Sequence, residues 1–189
     1  MGTSVNQSSP KTINWQAAQA TYKDARVPIE RVLREIWRAA TSQPEESNLA
    51  SLLGQPIITR LRDIVLEGGN AAQIAMATTR EIAGSRQASL AVDIARRAAL
   101  QSASAENRAQ AFSERIFAEA SNYLLSRDLP GYVGSVGRNQ TVADSHQFKR
   151  AVLNAAAESV RQISPPSSNS PEDWQTHIST VVDVLRGRR

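Results

Sequence analysis

Apolar residues recur at helical spacing along almost the whole chain. The longest such pattern runs from Ser104 to Arg127, SAENRAQAFSERIFAEASNYLLSR. Phe112, Ile116, Ala120, Tyr123 and Leu124 form its stripe, Phe117 lies beside them, and Arg108, Glu114, Arg115, Glu119 and Arg127 fall largely off it. This predicts a buried central helix capped by Ser104 and stopped at Asp128-Leu129-Pro130-Gly131. Upstream, a first helix from Thr12 carries Trp15, Ala18 and Tyr22 on one side. Pro28 opens a second, with Ile29, Val32, Leu33, Ile36, Trp37 and Ala40 inward. Leu49 to Leu53 allows one or two turns before Gly54. Pro56 starts a helix with Ile57, Ile58, Leu61, Ile64 and Val65 inward, closed by Gly68-Gly69. Asn70 caps AAQIAMATTREIA, which ends at Gly84, and Ser85 caps RQASLAVDIARRAALQ with Leu90, Ala91, Ile94, Ala95 and Ala98 on one side.

Beyond the central pattern, residues 128–140 are irregular, and ADSHQFKRAVLNAAAESVRQI resumes helix with Phe148, Val152, Ala155, Ala156 and Ile163 as its stripe. Pro165 and Pro166 head a semi-stiff linker. Ser170-Pro171-Glu172-Asp173 is a strong start for a last helix presenting Trp174, Ile178, Val181 and Leu185. No segment alternates with period two and no fixed-period repeat occurs. The expected fold class is all-α, a compact bundle of about six to eight helices with no sheet. The expected organisation is a disordered start over 1–11, a bundle over 12–163, a linker over 164–170 and a separate amphipathic helix over 171–189.

The length of 189 residues suits one core. Apolar residues make up 41% and aromatics 5%, and alanine dominates, so helices should pack closely around few large anchors. Lys and Arg total 22 against 18 Asp and Glu, a net charge of +4, and the only lysines are Lys11, Lys23 and Lys149. Arginine binds phosphate and carboxylate bidentately, which suits a nucleic-acid or acidic partner. The same excess also follows from the codon usage of a GC-rich genome, and a net +4 is modest. The absence of cysteine excludes disulfides, thiolate chemistry and cysteine-type zinc sites, and fits a cytoplasmic protein. No apolar run approaches the roughly 18 residues of a membrane span, MGTSVNQSSPK has no hydrophobic signal core, and Asn6 does not fit N-myristoylation.

Candidate chemistry is sparse. His146 and His177 are the only histidines. Asp144-Ser145-His146 places three residue types of a catalytic relay in direct sequence, where geometry forbids the relay, so it reads as a helix start. His177, one turn after Trp174, reads as an interfacial or half-buried side chain. With no clustered carboxylates, no metal, no cofactor and no small-molecule substrate are expected, and no nucleophile, base and oxyanion donor combine into an enzyme. Gly131, Gly134 and Gly137, flanked by Arg127 and Arg138, depart from known phosphate loops and lack the sheet that a GxxG clamp adjoins. They read as a connector or as a mobile loop near a backbone. TTREIAGSRQASLAVDIARRA has a helix-turn-helix flavour with too short a turn. Arg86, Arg96, Arg97, Arg108, Arg138, Lys149, Arg150 and Arg161 lie opposite the apolar stripes of the later helices. They form either one outward face for phosphate contact without base readout or an ordinary solvated face.

The run FSERIFAEASNYLLSRDLPGYVG, followed by QFKRAVLNAAAESVRQI, resembles the C-terminal helical region of the large subunit of type I-D CRISPR interference complexes, over roughly residues 56–163. That region is also made separately as a small subunit. The resemblance implies a non-catalytic subunit, several copies of which line a guide-RNA complex beside its other subunits. There it holds the backbone of the guide RNA and target DNA duplex, or the displaced strand, with Arg96, Arg97, Arg108, Lys149 and Arg150 as contacts. The rival reading is a helical adaptor or scaffold without nucleic-acid binding, whose Trp174, Ile178, Val181 and Leu185 dock in the groove of a partner protein.

Overall fold

The computed structural model describes residues 10–42, 48–79 and 86–187, apart from the side chains of 10–14 and 86–88. Its helices are α1 Pro10–Lys23, α2 Ile29–Thr41, α3 Leu49–Leu53, α4 Pro56–Leu66, α5 Ala71–Thr79, α6 Arg86–Ser102, α7 Arg108–Asp128, α8 Val142–Arg161 and α9 Pro171–Leu185, with a short 3-10 turn at Leu129–Tyr132. The described residues contain no strand, and the fold is all-α. None of their helices is long and apolar enough to cross a membrane.

Several helix boundaries follow local chemistry that composition obscured. Proline has no N–H to lose at a first helical position, so α4 and α9 begin on Pro56 and Pro171, and α1 begins on Pro10 inside the stretch expected to be disordered. Pro28 stands one place ahead of α2 in extended backbone, its carbonyl taking the amides of Arg31 and Val32. The central helix does not start at Ser104. α6 continues to Ser102, and α7 begins after Asn107, whose side chain accepts the Gln110 amide at 3.1 Å. The predicted turn at Gly84-Ser85 lies outside the described residues.

The core is centred on α7, which packs between α6 and α8 with α4 and α2 across its inner side. Phe112, Ile116, Phe117, Ala120, Leu124 and Leu125 are buried there, whereas Tyr123, expected in the stripe, stands at the rim and is 38% exposed. Trp37 lies 5.8 Å from Phe117, and its indole N–H donates to Ser121 Oγ at 3.0 Å. Trp174 lies 6.0 Å from Phe112 and donates to the Leu53 carbonyl at 3.2 Å. Each buried indole thus has an apolar body packed and a polar tip satisfied.

The C-terminal helix is therefore not a separate arm. Trp174, Ile178, Val181 and Leu185 are no more than 3% exposed and belong to the same core as α2 and α7, so they are not a surface for a partner. In an alanine-rich bundle these are among the few large anchors, each worth about 2 kcal/mol on burial. The linker is likewise a fastened strap. Arg62, fully buried, donates from Nη1 to the Ser168 carbonyl at 2.9 Å and from Nη2 to the Pro166 carbonyl, while its guanidinium lies 5.2 Å from the Trp174 ring centre.

Candidate nucleic-acid interface

One end of the bundle gathers cations around a buried aromatic knot. Tyr22, in the last turn of α1, meets Tyr132 edge-on at 5.5 Å and Phe148 of α8 at 6.1 Å. Every helix leaves its last carbonyls without an internal partner. For α1 the loop before α8 supplies them: Asn139 Nδ2 donates to the Tyr22 carbonyl at 2.7 Å and the Arg138 amide to that of Lys23 at 3.1 Å. Arg138 Nη2 donates to the carbonyls of Asp24, at 2.9 Å, and Val27, with its guanidinium 4.8 Å from the Phe148 ring centre. Gly137 passes so close, at φ 117°, that a Cβ there would fall on the Lys23 carbonyl. The glycine loop is thus the cap of α1, and Arg138 is a structural cation whose basicity is lowered by burial. Gly131 and Gly134 stand in open space.

At the surface of this knot the Lys23 ammonium lies 5.3 Å from the centre of the Tyr132 ring. Arg127 lies 4.1 Å from the centre of the Trp15 ring, and its Nε and Nη2 donate to the two Asp128 oxygens at 2.7 and 2.9 Å. Those hydrogen bonds raise its basicity further. Lys149 Nζ donates to Ser126 Oγ at 2.8 Å, and Arg150 beside it is exposed. Arg26 pairs with Asp24 at 3.0 Å and holds that carboxyl below its usual range. The Tyr22 hydroxyl is pushed up, first by burial and then by the charge of Asp128, so it stays protonated. The carboxylates here are all engaged: Asp24 with Arg26, Asp128 with Arg127, and Asp144 in the capping box of α8 with Thr141. Lys23, Lys149 and Arg150 have no carboxylate partner among the described residues.

Of the remaining predicted contacts, Arg96, Arg97, Arg108 and Arg161 are answered by acids or backbone. From one flank of α7, Arg97 reaches Glu119 at 4.0 Å; from the other, Arg161 meets Glu114 at 3.1 Å and Glu158 at 2.8 Å. Arg96 pairs with Asp93 at 3.4 Å. Such exposed pairs add little stability, but they cancel charge. Arg108 donates from Nε to the Ala103 carbonyl at 3.1 Å and lies on Gly68, bracing the α6–α7 turn. Arg86 opens α6, and its side chain is among those not described. Of the sequence-derived set, Arg138, Lys149 and Arg150 stand at the basic end; Arg138 is spent on backbone carbonyls, and Lys149 and Arg150 have no carboxylate partner among the described residues. Sequence reasoning missed Lys23 and Trp15 there, and had Arg127 only as a flank of the glycine loop. Trp15 shares a helical stripe with Ala18 and Tyr22, which made it look like core.

The two histidines differ in setting. His146 is exposed on α8, in the helix start the sequence implied. His177 is buried and shares a 2.6 Å hydrogen bond with the equally buried Ser113, between Phe117 and Trp174. Burial, and then the Arg62 guanidinium, push its pKa down to about 4. Closed off in the core, this pair is a packing feature. No protein-family model, curated protein or solved structure matches the chain.

Proposed function

We propose that the chain is a non-catalytic helical protein that grips nucleic-acid phosphates with the end formed by α1, α7 and α8, without sequence readout. The observation that carries this is local charge. Lys23, Lys149 and Arg150 are not matched by a described carboxylate, and the three nearby acids are committed to Arg26, Arg127 and the α8 cap. Arg96, Arg97, Arg108 and Arg161 leave the proposed contact set, since their charges or donors are engaged within the fold. The resemblance to the type I-D helical region supplies a setting, a small subunit of a guide-RNA complex holding the guide–target duplex or the displaced strand. Co-purification of short guide RNA with the chain tests that setting.

Filter binding at rising salt tests the contact itself. Each phosphate neutralised contributes about 0.7 to 0.9 to the slope of log K against log salt. The double variant Lys149→Ala, Arg150→Ala should lose affinity and flatten that slope by about 1.4 to 1.8. Unchanged affinity and slope would sink the proposal.

One observation favours the adaptor reading, though not through α9. On α5, Ala71, Ala72, Ala75 and Met76 are exposed, Met76 by 69%, while Ile74, Ala77 and Thr78 face the core. Under that reading Met76→Glu releases co-purifying protein, and the basic end binds no nucleic acid.

A further inference from the structure

The basic end holds a feature that phosphate binding alone does not need. We infer that Arg127, backed by Trp15, is a stacking platform for an unpaired base, so that the strand held here is single-stranded DNA or RNA. This rests on the phosphate-binding reading above and deepens it by naming the form of nucleic acid.

The geometry is that of a cation locked flat. Two parallel hydrogen bonds to Asp128, at 2.7 and 2.9 Å, fix the plane of the guanidinium. Its Cζ lies over the Trp15 ring, 4.1 Å from the ring centre. The Arg127 side chain nevertheless remains 42% exposed, so a ligand can reach it from solvent. A guanidinium is weakly hydrated on its faces and stacks readily on π-systems, which makes it a seat for a planar base. Tyr123, one turn earlier on α7, is 38% exposed and stands near Arg127, which extends the aromatic margin. Lys149, bonded to Ser126 next to Arg127, places an ammonium beside the platform where the adjoining phosphate of a strand would run.

A duplex cannot use this seat, because its bases already stack on one another and present only their edges in the grooves. An unpaired base has a free face, and every base has one, so the platform selects strandedness and not sequence. The acidic partner matters too: Asp128 orients Arg127 and also removes part of its charge, which suits stacking better than simple phosphate attraction.

Trp37 and Trp174 are at most 1% exposed, so Trp15 reports ligands reaching the surface. The full chain would be titrated with a short oligothymidylate, its duplex with oligoadenylate and inorganic polyphosphate, following tryptophan emission and iodide quenching. The single strand should bind about tenfold more tightly than polyphosphate at equal salt and shield Trp15 from iodide. Arg127→Lys keeps the charge and loses the flat face. It should weaken single-strand binding about tenfold and leave polyphosphate affinity and the salt slope unchanged. Equal binding of all three probes, or full single-strand affinity in Arg127→Lys, overturns the stacking platform while the phosphate reading stands. Binding of none of them overturns both. Because the variant could loosen α1, shielding in the unaltered chain stands as an independent readout, and saturation without shielding also overturns the platform.

Discussion

His177 is a neutral imidazole enclosed by the Phe117 and Trp174 rings, with Ser113 Oγ on its Nε2 and Arg62 as the nearby charge that opposes protonation. The unfolded chain takes up that proton near the ordinary value of 6.5, while the folded chain resists it until about 4. Between those values the unfolded state binds more protons, so stability falls as pH falls, by up to about 3 kcal/mol across the window. Urea melts from pH 7 to pH 4 should show this loss, and His177→Gln, which keeps a polar partner for Ser113 but does not titrate, should flatten it. Equal slopes in parent and variant would assign the acid sensitivity to carboxylates instead. Both His177 and Arg62 were legible in principle. Trp174, His177, Ile178 and Val181 repeat at i, i+3, i+4, i+7, and Ile58, Leu61, Arg62 and Val65 do the same. Period places both inside, whereas the sequence reading left His177 interfacial or half-buried and did not place Arg62.

Among the elements, α1 has an end that depends on distant residues. Its last carbonyls are taken by Arg138 and Asn139, and the approach is possible only because Gly137 has no Cβ and holds φ at 117°. Gly137→Ala adds left-handed strain to a backbone collision, and should cost at least about 2 kcal/mol in a chemical melt. The Ser170→Ala cap variant of α9 serves as a scale, since loss of a helix cap costs about 1 kcal/mol. A Gly137→Ala cost no larger than that would mean the loop does not clamp α1. The strap before α9 makes a second case. Arg62→Met removes the donors to the Pro166 and Ser168 carbonyls, so hydrogen exchange should quicken across 164–185 while α6 and α7 keep their protection. Uniform loosening would instead make Arg62 a general core anchor. Local chemistry explains which starts were readable: Ser170 caps its helix as its sequence implied, because the partner amide is three residues away. The α1 cap was unreadable, because Tyr22 and Asn139 are 117 positions apart.

For the whole molecule, helical periodicity was enough to give an all-α bundle, since each amphipathic stripe has only one way to leave water. It was not enough to give the charged surface, because which acid meets which arginine is decided by packing. Arg161 and Glu114 are 47 positions apart and meet only because α7 and α8 run side by side. The sequence weighs all cations equally, whereas the fold gives Arg96, Arg97 and Arg161 a carboxylate and leaves Lys23, Lys149 and Arg150 at the α1, α7 and α8 end without one, as it does Arg31, Arg34, Arg60 and Arg115 elsewhere among the described residues. Matched arginines would have to give up Asp93, Glu119 or Glu114 before meeting a phosphate, so their removal should change little. Arg96→Ala with Arg97→Ala is expected to leave nucleic-acid affinity within about twofold and the salt slope unaltered, although it removes as much formal charge as the Lys149, Arg150 pair. Binding isotherms for the two double variants at the same salt compare place against total charge. Equal losses would show that net charge alone drives binding, and a larger loss from Arg96 and Arg97 would move the interface onto α6.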